Sequence, residues 1–268
     1  MFWPELVRAF RLRRILLKSN FSLARLIFHP MSKHSFPLRL KSGLQISIRG
    51  SLQVRVSDLA ILEEVYSEDH YDINKFIQPG FKVLEIGAHI GIFSLLAANR
   101  VGRDGFVLSI EASPQNFELL DKNRRANPHV PLKIMNIAAA DKVGEVSVYH
   151  SNWNTGGHRT GKAQGFKNLV LSNGLSQLLD RMPAGEVDVL KIDCEGCEFS
   201  VIEGADTEIL RRIRLMIIEF HCFDGENCDR IDSAQIRLQN AGFHCDVISD
   251  VFYPKEGYFQ TVIARRRR

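Results

Sequence analysis

The sequence lacks any apolar run close to the roughly 18 residues that a membrane-spanning helix needs, which argues against such a segment. We also expect no secretory signal, because four arginines between positions 8 and 14 interrupt the apolar residues near the N-terminus. Cysteine is scarce. Its five copies, an odd number without a secretion signal, predict reduced thiols rather than a disulfide framework. We therefore expect a cytoplasmic protein.

Charge is unevenly distributed, although the composition is that of an ordinary globular protein, with 45% apolar and 25% charged residues. Residues 1–50 contain ten Lys or Arg and a single acid, Glu5, and four arginines end the chain. Basic residues at the ends, instead of along a groove of the domain, argue against a nucleic-acid partner. Residues 1–30 show helical spacing of apolar residues and predict basic helices. These could pack on the domain or make peripheral contact with the inner membrane face.

The N-terminal part differs in periodicity from the rest of the chain. Alternating apolar residues between Leu38 and Val56 predict a small antiparallel meander. We therefore predict an N-terminal basic helical and β-meander extension over residues 1–56 and a main domain over residues 57–268.

From Lys82 onward, strands and helices alternate, which predicts a mostly parallel sheet covered by helices on both faces. The predicted strands are 82–86, 106–110, 132–137, 187–192, 213–219, 243–248 and 258–264. The predicted helices are 59–65, 72–77, 91–100, 114–126, 198–211 and 230–241. Only Asp250 to Gly257 join the last two strands, a connection that fits an antiparallel hairpin.

A glycine-rich turn follows the first of these strands. Gly87 and Gly91 separate the strand from a helix, and such a turn lets a ligand approach the backbone at the helix N-terminus. The spacing is Gly-x-x-x-Gly, without the third glycine of the dinucleotide fingerprint, and no P-loop lysine lies near it. The turn therefore argues against a dinucleotide or a nucleoside triphosphate as ligand.

Two acidic residues complement the turn. Glu111 ends the next strand, 24 residues beyond Gly87, where an acid can bind ribose hydroxyls. Alternatively, Glu111 could stabilise the N-terminus of the helix that Pro114 opens. Glu85 lies within the motif and could hold an ammonium group. S-adenosylmethionine combines a ribose with a cationic amino-acid end and carries no phosphate, so these residues indicate it as the cofactor.

Four segments between about Ser57 and Ala264 resemble the FkbM family of S-adenosylmethionine-dependent methyltransferases. They are Glu85–Gly91, Ile110–Pro114, Asn136–Gly144 and Asp188–Glu198, the last being similar to the family signature Lys-Ile-Asp-x-Glu-Gly-x-Glu. The resemblance implies an α/β fold of the class I, Rossmann-like methyltransferase type. This is a three-layer sandwich with a seven-stranded, mostly parallel sheet whose last strand is antiparallel. It also implies O-methylation of a hydroxyl on a sugar, a glycolipid or a secondary metabolite.

The resemblance further implies a set of cofactor-binding residues. They are Glu85, Gly87, Ala88, His89, Gly91, Glu111, Ala112, Ala139 and Asp141. Two of them depart from the family pattern, since His89 stands where Asn is more common and Glu85 where Asp is. An imidazole can still donate a hydrogen bond, so we expect cofactor binding to be retained.

Polar residues also cluster where the later strands end. Asp193 and Glu195 follow strand 187–192, and His221 ends the next strand, so all three should reach the ligand crevice. We predict these three as catalytic, with Asp193 as the general base for the acceptor hydroxyl and His221 as the second choice. Glu195 could instead stabilise the following helix. The three side chains could also hold a divalent metal, but their types fix no geometry, so no metal ligand is assigned.

Further alternatives stay open. Cys194-x-x-Cys197, with Cys222 and Cys228, could form a zinc or redox site, although buried thiols are the simpler interpretation. Residues 150–168 form a long polar loop that could be a lid or an irregular excursion. The rival functions are an NAD-dependent oxidoreductase and a non-catalytic nucleotide-binding module. The sequence identifies neither the small-molecule or glycan acceptor nor the oligomeric state.

Overall fold

The fold is taken from a computed structural model of the chain. The structure describes residues 12, 16, 35–50, 52–149, 159–160, 167–183, 186–223, 228–253 and 257–266, with the backbone alone for 52–56 and 159–160. The helices predicted within residues 1–30 lie outside these ranges, apart from Leu12 and Leu16, which are buried.

Strands and helices alternate along most of the chain. The strands are β1 (Phe36–Arg39), β2 (Gln45–Ile48), β3 (Lys82–Ile86), β4 (Phe106–Ile110), β5 (Leu132–Met135), β6 (Ala138–Ala139), β7 (Gly144–Tyr149), β8 (Arg159–Thr160), β9 (Lys167–Asn173), β10 (Val187–Ile192), β11 (Ile213–Phe223), β12 (Phe243–Tyr253) and β13 (Gly257–Arg266). The helices are α1 (Leu52–Glu63), α2 (Ile73–Phe76), α3 (Ile92–Val101), α4 (Pro114–Arg125), α5 (Leu175–Leu179), α6 (Glu198–Glu203), α7 (Thr207–Arg211) and α8 (Asp229–Asn240), with a π-helical turn over Glu64–Glu68.

A seven-stranded sheet forms the centre of the molecule, in the order β12-β13-β11-β10-β3-β4-β5. β3, β4, β5, β10 and β11 pair in parallel, whereas β13 runs antiparallel between β11 and β12. The central strands are buried on both faces, as parallel strands covered by helices are. The predicted class I fold, with an antiparallel last strand that pairs with the strand before it, is confirmed.

The predicted helix over 198–211 is interrupted. α6 ends at Glu203, and α7 begins after Asp206, whose side chain accepts a hydrogen bond from the N–H of Ile209 at 2.8 Å. An aspartate that caps a new helix in this way competes with continuation of the old one.

The N-terminal hairpin of β1 and β2 is fastened to α4 by two asparagines. The side chain of Asn123 accepts the N–H of Ser47 at 2.6 Å and donates to its carbonyl at 3.0 Å. Asn127 makes the same pair of bonds to Gln45 at 2.9 and 2.7 Å. The prediction that the meander continues to Val56 is wrong, because that segment starts α1. The predicted domain boundary after residue 56 falls inside this helix.

The sequence patterns do not predict a second sheet, of order β6-β9-β7-β8. β7 pairs antiparallel with β9 and β8, and β6 pairs parallel with β9. Part of the predicted 150–168 loop is therefore strand, and most of the remainder lies outside the described residues. Its interpretation as a lid stays a prediction.

Among the helices in the described ranges, none combines the length and the apolar character needed to cross a membrane. The cytoplasmic location and the membrane contact of residues 1–30 stay predictions.

Candidate active site

A cavity of about 290 Å³ opens where β3, β4, β10 and β11 reach their carboxyl ends. We call the part lined by Glu85 and Glu111 the cofactor end, and the part lined by Asp193, Glu219 and His221, with their neighbours, the acidic end. In open α/β sheets the carboxyl ends of the strands line the ligand crevice, so the cavity lies where a ligand is expected.

The glycine turn is shaped by contacts inside the protein. Gly87 has a φ of +87°, and a β-carbon there would lie 1.7 Å from the carbonyl oxygen of Asp193. Gly91 has a φ of +88°, and its β-carbon would lie 2.5 Å from the Leu120 side chain. Left-handed backbone favours glycine at both positions, and at Gly87 the backbone contact excludes a β-carbon, whether or not a ligand is bound. Gly87 lines the cavity, whereas Gly91 precedes α3 outside the lining.

Glu85 is fully buried beneath this turn. Its Oε2 accepts hydrogen bonds from the hydroxyls of Ser94 at 2.5 Å and Ser109 at 2.6 Å. Its Oε1 has no hydrogen-bond partner among the described residues. Burial raises the pKa of Glu85, although the ammonium of Lys191 opposes the shift. An unpaired buried oxygen at a cavity wall is a group that a ligand donor, such as an ammonium, would satisfy.

Glu111 is held by the backbone around it. Its Oε2 accepts the N–H of His89 at 2.7 Å, and its Oε1 accepts the N–H of Ser113 at 2.8 Å. Burial raises the pKa of Glu111 to about 7 in spite of these bonds. Oε2 accepts the single bond from His89 and can accept a second one, so Glu111 retains capacity for a ligand hydroxyl.

Arg49, which follows the N-terminal hairpin, supports the cofactor end. Its guanidinium donates to Asp58 at 2.6 Å and to Asn116, and it lies 3.3 Å from Nε2 of His89. Asn116 in turn donates to Glu111 at 3.4 Å. A residue from the predicted extension thus helps to order the groups around Glu111.

The other predicted cofactor residues divide into two groups. Ala88, His89, Ala112 and Ala139 line the cavity. Asp141 does not line it, because it follows the end of β6 with its side chain exposed. Its backbone packs instead against Gly204, where a β-carbon would lie 2.6 Å from the Cα of Asp141. The structure therefore brings all the predicted cofactor residues except Gly91 and Asp141 to the cavity wall.

Asp193, just beyond the tip of β10, is paired inside the protein. Its Oδ2 accepts hydrogen bonds from the Lys191 ammonium and the Tyr71 hydroxyl, both at 2.9 Å. Lys191 is itself buried, with its ammonium 5.0 Å from the centre of the Tyr71 ring. Burial alone would raise the pKa of Asp193, but Lys191 and His221 more than offset burial and lower it. Asp193 is therefore an ionised, firmly held carboxylate.

His221 is surrounded by acids. Its Nδ1 lies 2.9 Å from Oε1 of Glu198, whose carboxylate also accepts two backbone N–H groups of the loop 193–198. Its Nε2 faces three carboxylate oxygens at 3.7 to 3.9 Å. These oxygens belong to Asp193, Glu195 and Glu219. Burial would lower the pKa of His221, but the surrounding glutamates more than offset burial and raise it well above its usual value.

Glu195 differs from Asp193, because its carboxylate accepts no hydrogen bond from any described residue and has His221 as its ion-pair partner at 3.9 Å. Its backbone is left-handed, with a φ of 56°, and its side chain lines the cavity with 17% of its surface exposed. Burial raises the pKa of Glu195 to about 7, an effect that His221 opposes and Asp193 reinforces.

Part of the acidic end comes from a segment that carries no motif. Glu64, His70 and Tyr71 reach it from the segment between α1 and α2. The Tyr71 hydroxyl lies 2.9 Å from Asp193 and 3.3 Å from Glu219, so it can donate its one proton to either carboxylate. Lys191 offers the one usable signal in the sequence, because a lysine inside an otherwise apolar, buried strand needs an anionic partner.

The prediction of reduced thiols is wrong for four of the five cysteines. Cys194 and Cys197 form a disulfide, with Cα atoms 5.6 Å apart. Cys222 and Cys228 form a second one at the same Cα separation of 5.6 Å. Local turns bring each pair to the distance that a disulfide needs, which the cysteine count does not reveal. Cys245 is free, and the paired cysteines offer no thiolates for zinc.

Residues 85–245, more than half of the chain, match the family model of the methyltransferase FkbM domain. The AMB antimetabolite synthetase AmbE of Pseudomonas aeruginosa is 26% identical over 227 residues, which cover 70% of this chain and 10% of AmbE. The methyltransferase sdnD of Sordaria araneosa is 25% identical over 193 residues, covering 59% of this chain and 73% of sdnD. The crystal structure of the N-terminal domain of EvdMO1 with SAH bound shares 13% identity at a TM-score of 0.46. That match covers 75% of this chain and 80% of the EvdMO1 chain.

Proposed function

The chain belongs to the FkbM family of S-adenosylmethionine-dependent methyltransferases, and on that premise we propose that it methylates a hydroxyl of a sugar, a glycolipid or a related secondary metabolite. The observation that carries the proposal is Glu195, a carboxylate at the cavity wall that accepts no hydrogen bond from the part of the chain that the structure describes. Beside it are three further acidic groups, those of Glu64, Asp193 and Glu219. Such a set of acceptors suits an acceptor molecule that donates several hydrogen bonds, as a polyol does.

The cofactor end would hold the methyl donor. The unpaired Oε1 of Glu85 is suited to an ammonium, and Glu111 to the hydroxyls of a ribose. Gly87, Ala88, His89, Ala112 and Ala139 supply the cavity wall between these two acids. Gly91 contributes through packing, and Asp141 is left out of the proposed set because of its exposed position.

Bound there, S-adenosylmethionine supplies an electrophilic methyl group, so that an O–CH₃ bond forms, a C–S bond breaks, and a methyl ether, S-adenosylhomocysteine and a proton result. Glu195 accepts that proton, because its carboxylate is free to bond with the acceptor hydroxyl. Asp193, which ranks first as base on sequence grounds, is occupied by Lys191 and Tyr71. In this proposal Asp193 acts as a positioning residue.

A screen of hydroxyl-bearing acceptors with methyl-labelled cofactor tests the reaction. With an acceptor in hand, Glu195→Gln should lower kcat by about 10²- to 10⁴-fold, the usual contribution of a general base. Calorimetry should show S-adenosylmethionine affinity within about twofold of the wild type and no heat with NAD, since Glu195 is not assigned to the cofactor end. Glu118→Gln, at an exposed glutamate outside the lining, is the matched control and should retain full activity. A product methylated on nitrogen or carbon, or a Glu195→Gln variant with full turnover, would contradict the proposal.

A further inference from the structure

We propose that the acidic end binds a divalent cation through Asp193, Glu219 and His221. The inference deepens the proposed function, because the cation would lie where the acceptor hydroxyl is expected. Ligand atoms of these three residues all lie within 4.8 Å of one another. The residues come from two adjacent strand ends, so the main sheet fixes their positions.

The imidazole of His221 is oriented as a metal ligand would be. Its side chain is only 3% exposed, and its Nδ1 lies 2.9 Å from the fully buried carboxylate of Glu198. Glu198 is itself fixed by backbone N–H groups at 3.0 and 2.9 Å. A carboxylate on one ring nitrogen is the usual arrangement when the other nitrogen binds a metal. The other nitrogen, Nε2, makes no hydrogen bond within the described part of the chain.

Two carboxylate oxygens face Nε2 without forming a hydrogen bond to it. Oδ1 of Asp193 lies 3.8 Å from Nε2, and Oε1 of Glu219 lies 3.7 Å from it. These distances are too long for hydrogen bonds. They suit two ligands of one ion, because bonds of about 2.0–2.2 Å leave the ligand atoms about 3–4 Å apart. The second oxygen of each carboxylate lies within hydrogen-bond distance of the Tyr71 hydroxyl, at 2.9 Å for Asp193 and 3.3 Å for Glu219, and the first faces Nε2.

A neighbouring triad is the strongest competitor. Glu64, His70 and Glu219 also place ligand atoms within 4.8 Å of one another. These three side chains are more exposed, at 37%, 26% and 17%, and the contacts of His70 show no carboxylate fixing its second nitrogen. The triad around His221 is therefore preferred.

The ligand types also indicate the class of cation. One imidazole with two carboxylates suits Mn²⁺, Fe²⁺ or Zn²⁺ better than Ca²⁺. A hydroxyl bound to such an ion loses its proton more readily. Glu195, whose Oε2 is 3.9 Å from the same nitrogen, would be close enough to receive that proton.

Titration of the full-length protein with Mn²⁺ alone, after EDTA treatment and dialysis, tests the site. We expect one Mn²⁺ per chain by electron paramagnetic resonance, and nitrogen modulation from one histidine in the spin-echo spectrum. His221→Gln and Glu219→Gln should each weaken Mn²⁺ binding by more than about tenfold, and Glu198→Gln by about 10- to 100-fold. Glu64→Gln is the matched control and should bind Mn²⁺ within about twofold of the wild type, because it belongs only to the competing triad.

The proposal is overturned if Mn²⁺ shows no saturable binding, or if the bound ion shows no nitrogen modulation. It is also overturned if Glu64→Gln loses affinity while His221→Gln keeps it. The nitrogen signal is measured on the wild-type protein, so it can be recorded even if a variant does not fold. No readout requires turnover, so a failed screen of hydroxyl acceptors would count against the proposed function alone.

Discussion

The two ends of the cavity handle buried charge in different ways. At the cofactor end, Glu111 accepts two backbone N–H groups and Glu85 accepts two serine hydroxyls. At the acidic end, carboxylate oxygens face His221 at 3.7 to 3.9 Å without forming hydrogen bonds to it. Apart from Oε1 of Glu85, the carboxylates of the cofactor end are thus held by hydrogen bonds from the chain itself. At the acidic end, the oxygens that face His221 lack hydrogen bonds to it and are open to a ligand.

The largest effect is expected at Gly87, where the cofactor end contacts the acidic end. Gly87→Ala places a β-carbon 1.7 Å from the Asp193 carbonyl oxygen and forces alanine into a φ of +87°. We expect a loss of more than about 4 kcal/mol in the free energy of unfolding, measured by chemical denaturation. Gly80→Ala is the control, because it shares the left-handed backbone, with a φ of +81°, but its β-carbon would have no neighbour within 4 Å. Equal stability of the two variants would show that the contact between the ends is not tight.

The next largest effect is expected at Lys191, the buried cation beside the acidic end. Lys191→Met removes the ammonium that holds Asp193 at 2.9 Å and opposes the raised pKa of Glu85. Removing one partner of a buried ion pair leaves a charge without compensation, so we expect a loss of about 3 kcal/mol in the free energy of unfolding. Lys133→Met, at an exposed lysine on β5 of the same sheet, should change stability by less than about 0.5 kcal/mol. A stable Lys191→Met variant would mean that the acidic end is neutralised in another way.

A smaller effect, confined to the cofactor end, is expected at Arg49. Arg49→Met removes the donor that holds Asn116 and contacts His89, two of the three residues that donate to Glu111. Loss of a charge-assisted hydrogen bond of this kind should weaken S-adenosylmethionine binding by about tenfold in calorimetry. Arg39→Met on the exposed side of β1 should leave the affinity unchanged. If both variants bind equally well, the hairpin region plays no part in the cofactor site.

The main sheet could be predicted from the sequence because its central strands β3, β4 and β10 are apolar and each is followed by a turn or helix signal. The second sheet could not, because the pattern of β9 is inverted. Leu169 and Leu171 are 65% and 64% exposed, whereas Ser172 on the opposite face is buried. The alternation near Val54 similarly suggests a strand, but Leu59 and Leu62 are buried at helical spacing and continue the segment as α1.

The cofactor end and the acidic end also differ in how far the sequence predicts their residues. The cofactor end could be predicted because Glu85, Gly87 and Glu111 belong to contiguous motifs at the ends of adjacent strands. The acidic end could be predicted only in part, because Tyr71 reaches Asp193 across 122 positions of sequence. Long-range partners leave no local spacing to detect, and the two disulfides are missed for a related reason, since the cysteine count carries no geometry.

The last and smallest effect concerns the charge on Glu111, a carboxylate that already accepts two backbone N–H groups. Burial raises the pKa of Glu111 to about 7, so the carboxyl group becomes protonated as the pH falls through that value. Ribose hydroxyls donate best to the ionised form, so S-adenosylmethionine affinity should be constant above pH 8 and fall about fourfold by pH 6.5. Calorimetry across this range measures the effect, and Glu111→Gln should bind more weakly but without the pH dependence. If the wild type showed no change between pH 6.5 and 8, the backbone N–H groups of His89 and Ser113 would be keeping Glu111 ionised throughout. The charge of Glu111 would then be stabilised by the chain itself before any ligand binds, in contrast to that of Glu195 at the acidic end.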